Sequence, residues 1–387
     1  MNKLAIITTH PIQYNAPLFR LLHERNNLQL KVFYTWSQTQ TGKLFDPGFG
    51  ISREWDIPLL NGYNHSFIKN ISFKPGSSHF FGIINIGLFK AIKKYKPDAI
   101  LVYGWSFLSH LLAMIYFKGK IPIYFRGDST LLDEDKMSST RRLLRRIILR
   151  KTLTYIDYAL YTGFANLEYY IAHGLKQEHL FWVPHSIDNS FYNGNEGMYK
   201  KLAAAWRERL GIQVSDIVFL FSGKLETKKN PTILLKAFLR LNTLNAKLIF
   251  VGNGHLENEL KTEAKNHTNI LFIDFQNQSQ MPVVYRLGDI LILPSSGPGE
   301  TWGLAVNEGM ACGKPIIVSN KCGCSFDLIK ENGFVFKSDN IDDLIDKMQY
   351  FIKHKEMIEV YGSRSREIIE SWDLSNSVTE IENIICR

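Results

Sequence analysis

The stretch DILILPSSGPGETWGLAVNEGMACGKPIIVS occupies residues 289–319. Its first part, "DILILP" (289–294), reads as a short buried strand. "GLAVNEGMACG" (303–313) reads as a helix closed by Gly313, with Pro315 just beyond as a stop signal. "PIIVS" (315–319) is a second apolar run of strand length. Two glutamates mark the junction between the first strand and the helix. Glu300 falls in the loop at the helix entrance, and Glu308 lies about two turns lower on roughly the same side. Both therefore face whatever occupies the carboxyl end of a sheet.

The same alternation extends in both directions. Upstream strands are read at 4–9, 30–36, 99–103, 121–125 and 158–162, with helical stretches between them. In the second half they are read at 217–222, 247–252, 270–273, 290–294, 315–319 and 334–336. Near-continuous apolar strands separated by helices mean parallel sheets covered on both faces. The polar, Gly- and Asn-rich stretch "FYNGNEGMYKK" (191–201) reads as the break between two doubly wound domains. The expected organisation is a first domain over 1–190, a second over 191–370 and a terminal helix over 371–387. Ligands of such sheets bind outside the carboxyl ends of the strands, and two such domains are expected to make a cleft.

Composition agrees with a soluble, mixed chain. Of 387 residues, 45% are hydrophobic and 21% charged, ordinary values for a globular protein with ample length for two cores. Lys and Arg total 46 against 37 Asp and Glu, a net charge of +9, which points to an anionic partner: a nucleotide, a phospholipid surface or nucleic acid. Four cysteines, Cys312, Cys322, Cys324 and Cys386, form neither a disulfide framework nor a zinc pattern, and a reducing cytoplasm is the simpler expectation. No secretory leader is read at the start of the chain, and no window reaches the apolar length of a membrane span.

"FSGKLETKKNPTILLKAF" (221–238) reads as strand, Gly-containing loop and helix, with Asn230 at the cap and Pro231 at the first helical position. Lys224 and Lys229 sit in that loop. A helix N-terminus beside two cations is an anion site, although a solvated lysine cluster would look the same in isolation. Carboxylates such as Glu300 and Glu308 repel phosphate but accept hydrogen bonds from hydroxyls. A diphosphate between two polyols, that is, a nucleotide sugar, accounts for both sets of residues.

"GETWGLAVNEGMACGKPIIVS" resembles the E-x7-E signature of the retaining family-4 glycosyltransferases. "FSGKLETKKNP", "LIFVGNGHLENEL", "VPHSIDNSFY" and "IIESWDLSNSVTEIENII" resemble further segments of that family, in the same order and over most of the chain. The resemblance implies the GT-B fold: two Rossmann-like domains facing a cleft, with the C-terminal helix returning to the first domain. It also implies residue roles. Glu308 would accept from ribose hydroxyls and Glu300 from donor-sugar hydroxyls, with Gly299, Thr301 and the backbone N–H groups of Trp302, Gly303 and Leu304 near the sugar or diphosphate. Lys224 and Lys229 would neutralise the diphosphate beside Gly223. Gly252 and Asn253 would form a turn under the nucleotide, and Phe275 and Gln276 would meet the base. The donor would be a UDP-, GDP- or ADP-sugar, and no metal or other cofactor is expected. The acceptor would be a glycan or lipid-linked saccharide. The chain departs from the family pattern at Lys224, where Arg is usual and whose charge remains without the bidentate fork. It departs again at Gly309, where Ala is usual, and in the "GPG" before Glu300.

In the first domain the loop "THPIQYNAPLF" (9–19) places His10, Gln13 and Tyr14 at the end of the first strand, as candidate acceptor contacts. "IPIYFRGDST" (121–130) offers Arg126 for acceptor binding and Asp128 as a catalytic or acceptor-positioning group, with an N-cap or loop salt bridge as the plainer role of Asp128. "DED" (133–135) matches the D-x-D metal pattern but reads better as helix-capping acids. His185 reads as a structural histidine. "RRLLRRIILRK" (141–151) suits either a solvated helix face or an anionic membrane surface, which would place the protein at the inner face of a membrane. Three rivals remain at this stage: a glycosidase, which also pairs carboxylates, a GT-B sugar-nucleotide 2-epimerase, and a catalytically silent GT-B carbohydrate-binding scaffold. Nucleic acid is disfavoured, since no aromatic-basic surface motif is present.

Overall fold

Each apolar run of five or six residues in the sequence becomes a strand that is buried nearly throughout, and those strands organise two sheets. The computed structural model describes residues 1–36, 44–46, 51–134, 137–241, 243 and 245–386. The strands, in chain order, are β1 (Asn2–Thr8), β2 (Leu28–Tyr34), β3 (Leu44–Asp46), β4 (Ile51–Arg53), β5 (His65–Phe67), β6 (Ala99–Tyr103), β7 (Ile123–Arg126), β8 (Tyr158–Tyr161) and β9 (Leu180–Trp182). They continue with β10 (Ile217–Ser222), β11 (Ala246–Val251), β12 (Ile270–Ile273), β13 (Ile290–Leu293), β14 (Ile316–Ser319) and β15 (Gly333–Phe336). The chain divides into two compact units: residues 1–44, 57–185 and 374–387 form the first, and residues 45–56 and 186–373 the second.

The first unit holds a parallel sheet in the order β5-β2-β1-β6-β7-β8-β9. Its strands are covered on both faces, as β1 illustrates. Leu4 and Ile6 enter one core cluster with Leu18, Phe19 and Leu22 of the following helix, while Ala5 and Ile7 enter another with Leu88, Ile92 and Met114. The helix Leu374–Ile385 at the end of the chain completes the first of these cores with Leu374, Val378, Ile381, Ile384 and Ile385. It is pinned by Arg25, which donates to the Ser375 carbonyl at 3.2 Å and to Thr379 Oγ1 at 2.7 Å, and by Ser377 Oγ, which donates to the Pro184 carbonyl at 3.0 Å.

The second unit holds a parallel sheet in the order β12-β11-β10-β13-β14-β15. Strand order reverses between β10 and β13, where Phe219 faces Ile290 and Leu220 faces Leu291. That pair is the switch point of a doubly wound sheet, outside whose carboxyl end such folds generally bind their ligands.

Two expectations from the sequence need correction. The stretch 191–201, read as a polar break, is helical: Asn189–Asn193 and Glu196–Arg209 are helices that flank Gly194. Asp188 caps the first of them by accepting from Phe191 N at 3.1 Å. Little of this segment is buried, Ala203 being the one core residue of its longer helix, so no apolar stripe announces it. Segment 45–56 joins the second unit, where Asn277 Nδ2 donates to the Glu54 carbonyl at 2.6 Å and Ser279 N to Asp56 Oδ1 at 3.2 Å.

Candidate functional site

Strand β10 leads through the turn Thr227–Lys229 to the helix Pro231–Leu241, and β13 leads through residues 294–303 to the helix Leu304–Ala311. Since β10 and β13 are neighbours, these two loops lie side by side. Ser296 N donates to the Lys228 carbonyl at 3.0 Å, and Lys228 Nζ reaches the Gly299 carbonyl at 3.5 Å. Pro231 opens its helix as the sequence suggests. Asn230 does not act as an extended N-cap: it is left-handed at φ 51°, and its amide points to Asp339 at 3.4 Å.

The loop contact brings Lys229 Nζ to 2.5 Å from Glu300 Oε2, with the two side chains 17% and 7% exposed. Ser295 Oγ donates to the same carboxylate oxygen at 2.9 Å, and Ser319 Oγ in turn donates to the Ser295 carbonyl. Burial alone would push Glu300 up; the Lys229 ammonium, then Lys228 and the Ser295 hydroxyl, outweigh it and hold the carboxyl below the ordinary glutamate value. Burial would likewise push Lys229 down, and Glu300 overcomes it and raises the ammonium. The pair is therefore charged on both sides in a water-poor place, where electrostatic interactions are strong.

Lys224 lies partly buried in the same β10 loop. The next residue locks the loop in place: Leu225 N donates to the Asn253 carbonyl, and Leu256 N to the Leu225 carbonyl, both at 3.0 Å. Gly223 N donates to the Val251 carbonyl, and Gly252 N to the Ile273 carbonyl. Asn253 then reaches the loop after β12, its Oδ1 accepting from Phe275 N at 2.7 Å and its Nδ2 donating to Asp274 Oδ1 at 3.0 Å. The Gln276 amide donates to the Asp274 carbonyl. Lys224, Lys229, Gly252, Asn253, Phe275, Gln276 and Glu300 thus all come from interlocked loops at one end of one sheet.

Glu308 is held differently from what its neighbourhood in the sequence implies. It is 3% exposed, and each carboxylate oxygen accepts from a tyrosine: Oε1 from Tyr192 and Oε2 from Tyr285, both at 2.5 Å. Gln278 Nε2 donates to the Tyr192 hydroxyl at 2.6 Å. These two bonds fix the orientation of the carboxylate. Gly309, the departure noted in the sequence, lets this helix sit close to β13, because an added Cβ would lie 2.5 Å from Leu291 Cδ2. Trp302 anchors the helix entrance: its indole donates to Asn307 Oδ1 at 2.8 Å and packs on Trp372 with centroids 5.0 Å apart.

The carboxyl end of the first unit's sheet carries a second polar cluster. His10 follows β1, shares a hydrogen bond between its Nδ1 and Thr9 Oγ1 at 3.0 Å, and meets Trp36 edge-on at 5.3 Å. Burial pushes its imidazole down to about 4. Gln13 and Tyr14 are half-buried in the same loop. Arg126, at the end of β7, is buried and gives its fork to the backbone, donating to the Val183 and Pro184 carbonyls at 2.9 Å each. That geometry makes Arg126 a brace for the segment after β9. His185 follows that segment; burial and the Arg126 charge lower its pKa to about 4, with Asp128 opposing them.

Of the acidic run at 133–135, only the middle side chain lies among the described ones. Its middle residue, Glu134, is buried in an ion pair with Arg146 at 2.9 Å, and residue 135 lies outside the described residues. Among the described residues, no group of three His, Cys, Asp or Glu is arranged to hold a metal ion. Sequence reasoning did not find Ser295, Tyr192, Tyr285 or Lys228. Ser295 and Lys228 adjoin residues it did find, whereas no local signal marks the tyrosines.

Comparison with known proteins bears on the fold. Residues 203–368 match the family described as Glycosyl transferases group 1. A HepE protein of Anabaena solved with UDP superposes with a TM-score of 0.74 over 100% of both chains at 16% identity. The fold is GT-B. An uncharacterized glycosyltransferase of Methanocaldococcus jannaschii is 25% identical over 55% of this chain and 58% of its own length. The O-antigen chain mannosyltransferase C of Escherichia coli is 29% identical over 43% of this chain and 44% of its own. The chain therefore spans only about half the length of these curated relatives. No helix among the described residues is long and apolar enough to cross a membrane.

Proposed function

We propose that this chain is a glycosyltransferase of the retaining family 4, which moves a sugar from a nucleotide-sugar donor to a glycan or lipid-linked saccharide in cell-surface polysaccharide or glycolipid assembly. The observation that carries the reading is the buried Lys229–Glu300 pair at the switch point between β10 and β13. Support comes from the group 1 match over this unit and from a structural neighbour solved with UDP and with UDP-glucose. The relative named for O-antigen chains supports the polysaccharide context.

The donor diphosphate takes the place of Glu300 as the counter-ion of Lys229, with Lys224 and the helix N-terminus beside it. Glu300, released from the lysine, accepts from hydroxyls of the donor sugar. Glu308, oriented by Tyr192 and Tyr285, accepts from the ribose. The leaving charge is stabilised by these cations, and no divalent ion is required. The acceptor oxygen attacks from the face that the diphosphate leaves. The bond between the anomeric carbon and the phosphate oxygen breaks as the new glycosidic bond forms, and the acceptor proton passes to the departing phosphate. This route retains the anomeric configuration. His10, Gln13, Tyr14 and Asp128 border the acceptor.

The acceptor is reached at an anionic membrane surface. The helix Ser139–Leu153 directs Leu143, Leu144, Ile147 and Ile148 to solvent at 62%, 60%, 58% and 46% exposure, interleaved with Arg141, Arg145 and Lys151. An unpartnered apolar stripe among cations is suited to the headgroup boundary of such a surface.

A thermal-shift panel of UDP-, GDP- and ADP-sugars, followed by a nucleotide-release assay with lipid-linked saccharides, tests the reading. One donor should raise the melting temperature, and release of its nucleotide should require an acceptor. Conversion of the donor with no acceptor present would make the chain an epimerase. Binding without release under any acceptor would make it a silent scaffold.

A further inference from the structure

At the amino end of the second unit's sheet, opposite the loops that carry Lys229 and Glu300, lies a cavity of about 920 Å³. Its walls come from the helix Glu196–Arg209, the start of β10, the helix Met281–Leu287, the turn after Ala311 and the helix Met357–Ile369. Such a volume accommodates a molecule of metabolite or nucleotide size. Nothing in the proposed transfer uses it.

The charges around the cavity are unbalanced in a specific way. Its inner acids are already matched. Asp289 accepts from Arg207 at 2.9 Å and from Val218 N at 2.8 Å, and Asp216 accepts from Gln213 N at 2.8 Å. The other two acids of the wall, Glu208 and Glu359, are exposed. Three inner cations are left with donors to spare. Arg286 is 6% exposed, gives Nη1 to the Pro282 carbonyl and to Cys312 Sγ and lies over the Tyr199 ring, while its Nε and Nη2 have no hydrogen-bond partner among the described residues. Arg366 gives Nη2 to Glu196 at 2.6 Å, while its Nε has none. Its guanidinium packs where Gly313 lacks a side chain: a Cβ there would lie 2.6 Å from Arg366 Nε. Among the described residues Lys314 has no ion-pair partner. Burial, against opposition from Asp289, and the nearby Arg286 and Arg207 push its ammonium down to about 8.

Buried donors without partners are costly, and two guanidinium groups with an ammonium beside a cavity form a set that matches a phosphate group. We propose that this cavity binds a phosphate-bearing small molecule through Arg286, Lys314 and Arg366. The source is either free inorganic phosphate or a phosphorylated sugar, and the size of the cavity favours the sugar.

The test uses the whole chain at constant ionic strength, with chloride as the balancing anion. Inorganic phosphate, glucose 6-phosphate and glucose are titrated against wild type, Lys314→Met and Lys229→Met. Wild type should show a saturable rise in melting temperature with both phosphates and none with glucose; a tighter response to glucose 6-phosphate assigns the site to a sugar phosphate, and an equal one to free phosphate. Lys314→Met should melt higher than wild type without ligand, since an unpaired ammonium is removed, and should bind phosphate at least tenfold more weakly. Lys229→Met should respond as wild type does. Hydrogen exchange on the wild type, which needs no variant, should show phosphate-dependent protection in residues 200–216 and 355–366 and not in 222–230 or 295–304. No saturable response, a response unchanged in Lys314→Met or lost in Lys229→Met, or protection confined to the donor loops would overturn the proposal.

Discussion

At the scale of single residues, the Lys229–Glu300 contact decides how the proposed donor site behaves when empty and when filled. Removing one member of a buried pair typically costs about 3–5 kcal/mol, because the other charge is left without a partner. Glu300→Ala should therefore lower the melting temperature, and a saturating nucleoside diphosphate should recover much of the loss, since binding at 100 times Kd contributes about 2.7 kcal/mol. Calorimetric titration should show the nucleoside diphosphate binding Glu300→Ala at least as tightly as wild type, while turnover falls at least tenfold. Glu308→Ala should do the reverse: affinity falls, and the Tyr192 and Tyr285 hydroxyls lose their acceptor at about 1–3 kcal/mol each. Equal loss of affinity in both variants would show that the two carboxylates do not divide the donor in this way. Acid stability adds a separate check. Glu300 is held below its unfolded value, so the folded state binds fewer protons than the unfolded one in the acid range. Its contribution is complete above the ordinary carboxylate range and is lost as pH falls through the folded value. Glu300→Gln should flatten the acid limb of the stability curve relative to wild type, and identical limbs would remove the pair from the account. Glu300, Lys224 and Lys229 were legible in sequence because they sit near Gly and Pro in loops that follow strands, and Glu308 because it follows Glu300 at a helical spacing. Tyr192 was not: it stands 116 residues from Glu308, in a stretch that reads as linker.

At the scale of elements, legibility followed burial. Strands β6, β10 and β12 run over the residues expected of them, because strands covered on both faces read as continuous apolar runs. The three-residue edge strands β5 and β9 were missed, being too short for a periodic signal. The helix Ser139–Leu153 contains the basic and apolar run 141–151, whose sequence suits either a solvated face or a membrane surface. The exposed leucines and isoleucines favour the second. Cosedimentation should show the protein bound to vesicles containing anionic lipid and released at high salt, since charge attraction is screened over about 10 Å at 0.1 M. Leu144→Glu with Ile147→Glu should abolish binding without loss of stability, because both side chains already face solvent. Binding that ignores lipid charge, or survives the double substitution, would refute the membrane role. The helix Leu374–Ile385 makes the opposite case. It contributes five buried apolar side chains to the first unit, each worth about 1.5–3 kcal/mol. Truncation after Asp373 should exceed the usual margin of stability, and limited proteolysis should then degrade the first unit; a truncated chain as resistant as wild type would contradict this packing.

At the scale of the whole molecule, the chemistry follows from the order of strands. Reversal between β10 and β13 places a lysine-bearing loop beside a glutamate-bearing one, and the proposed donor, an anion with hydroxyls on either side, suits that pairing. In the proposed mechanism no carboxylate is committed to nucleophilic attack on the far face of the sugar, and the acceptor attacks from the leaving-group face. The most direct measurement is proton NMR of the transfer product formed from an anomerically pure nucleotide sugar in excess EDTA. The account predicts transfer undiminished by the chelator and a product with the donor's anomeric configuration. An inverted product, or abolition of transfer by EDTA, would contradict it.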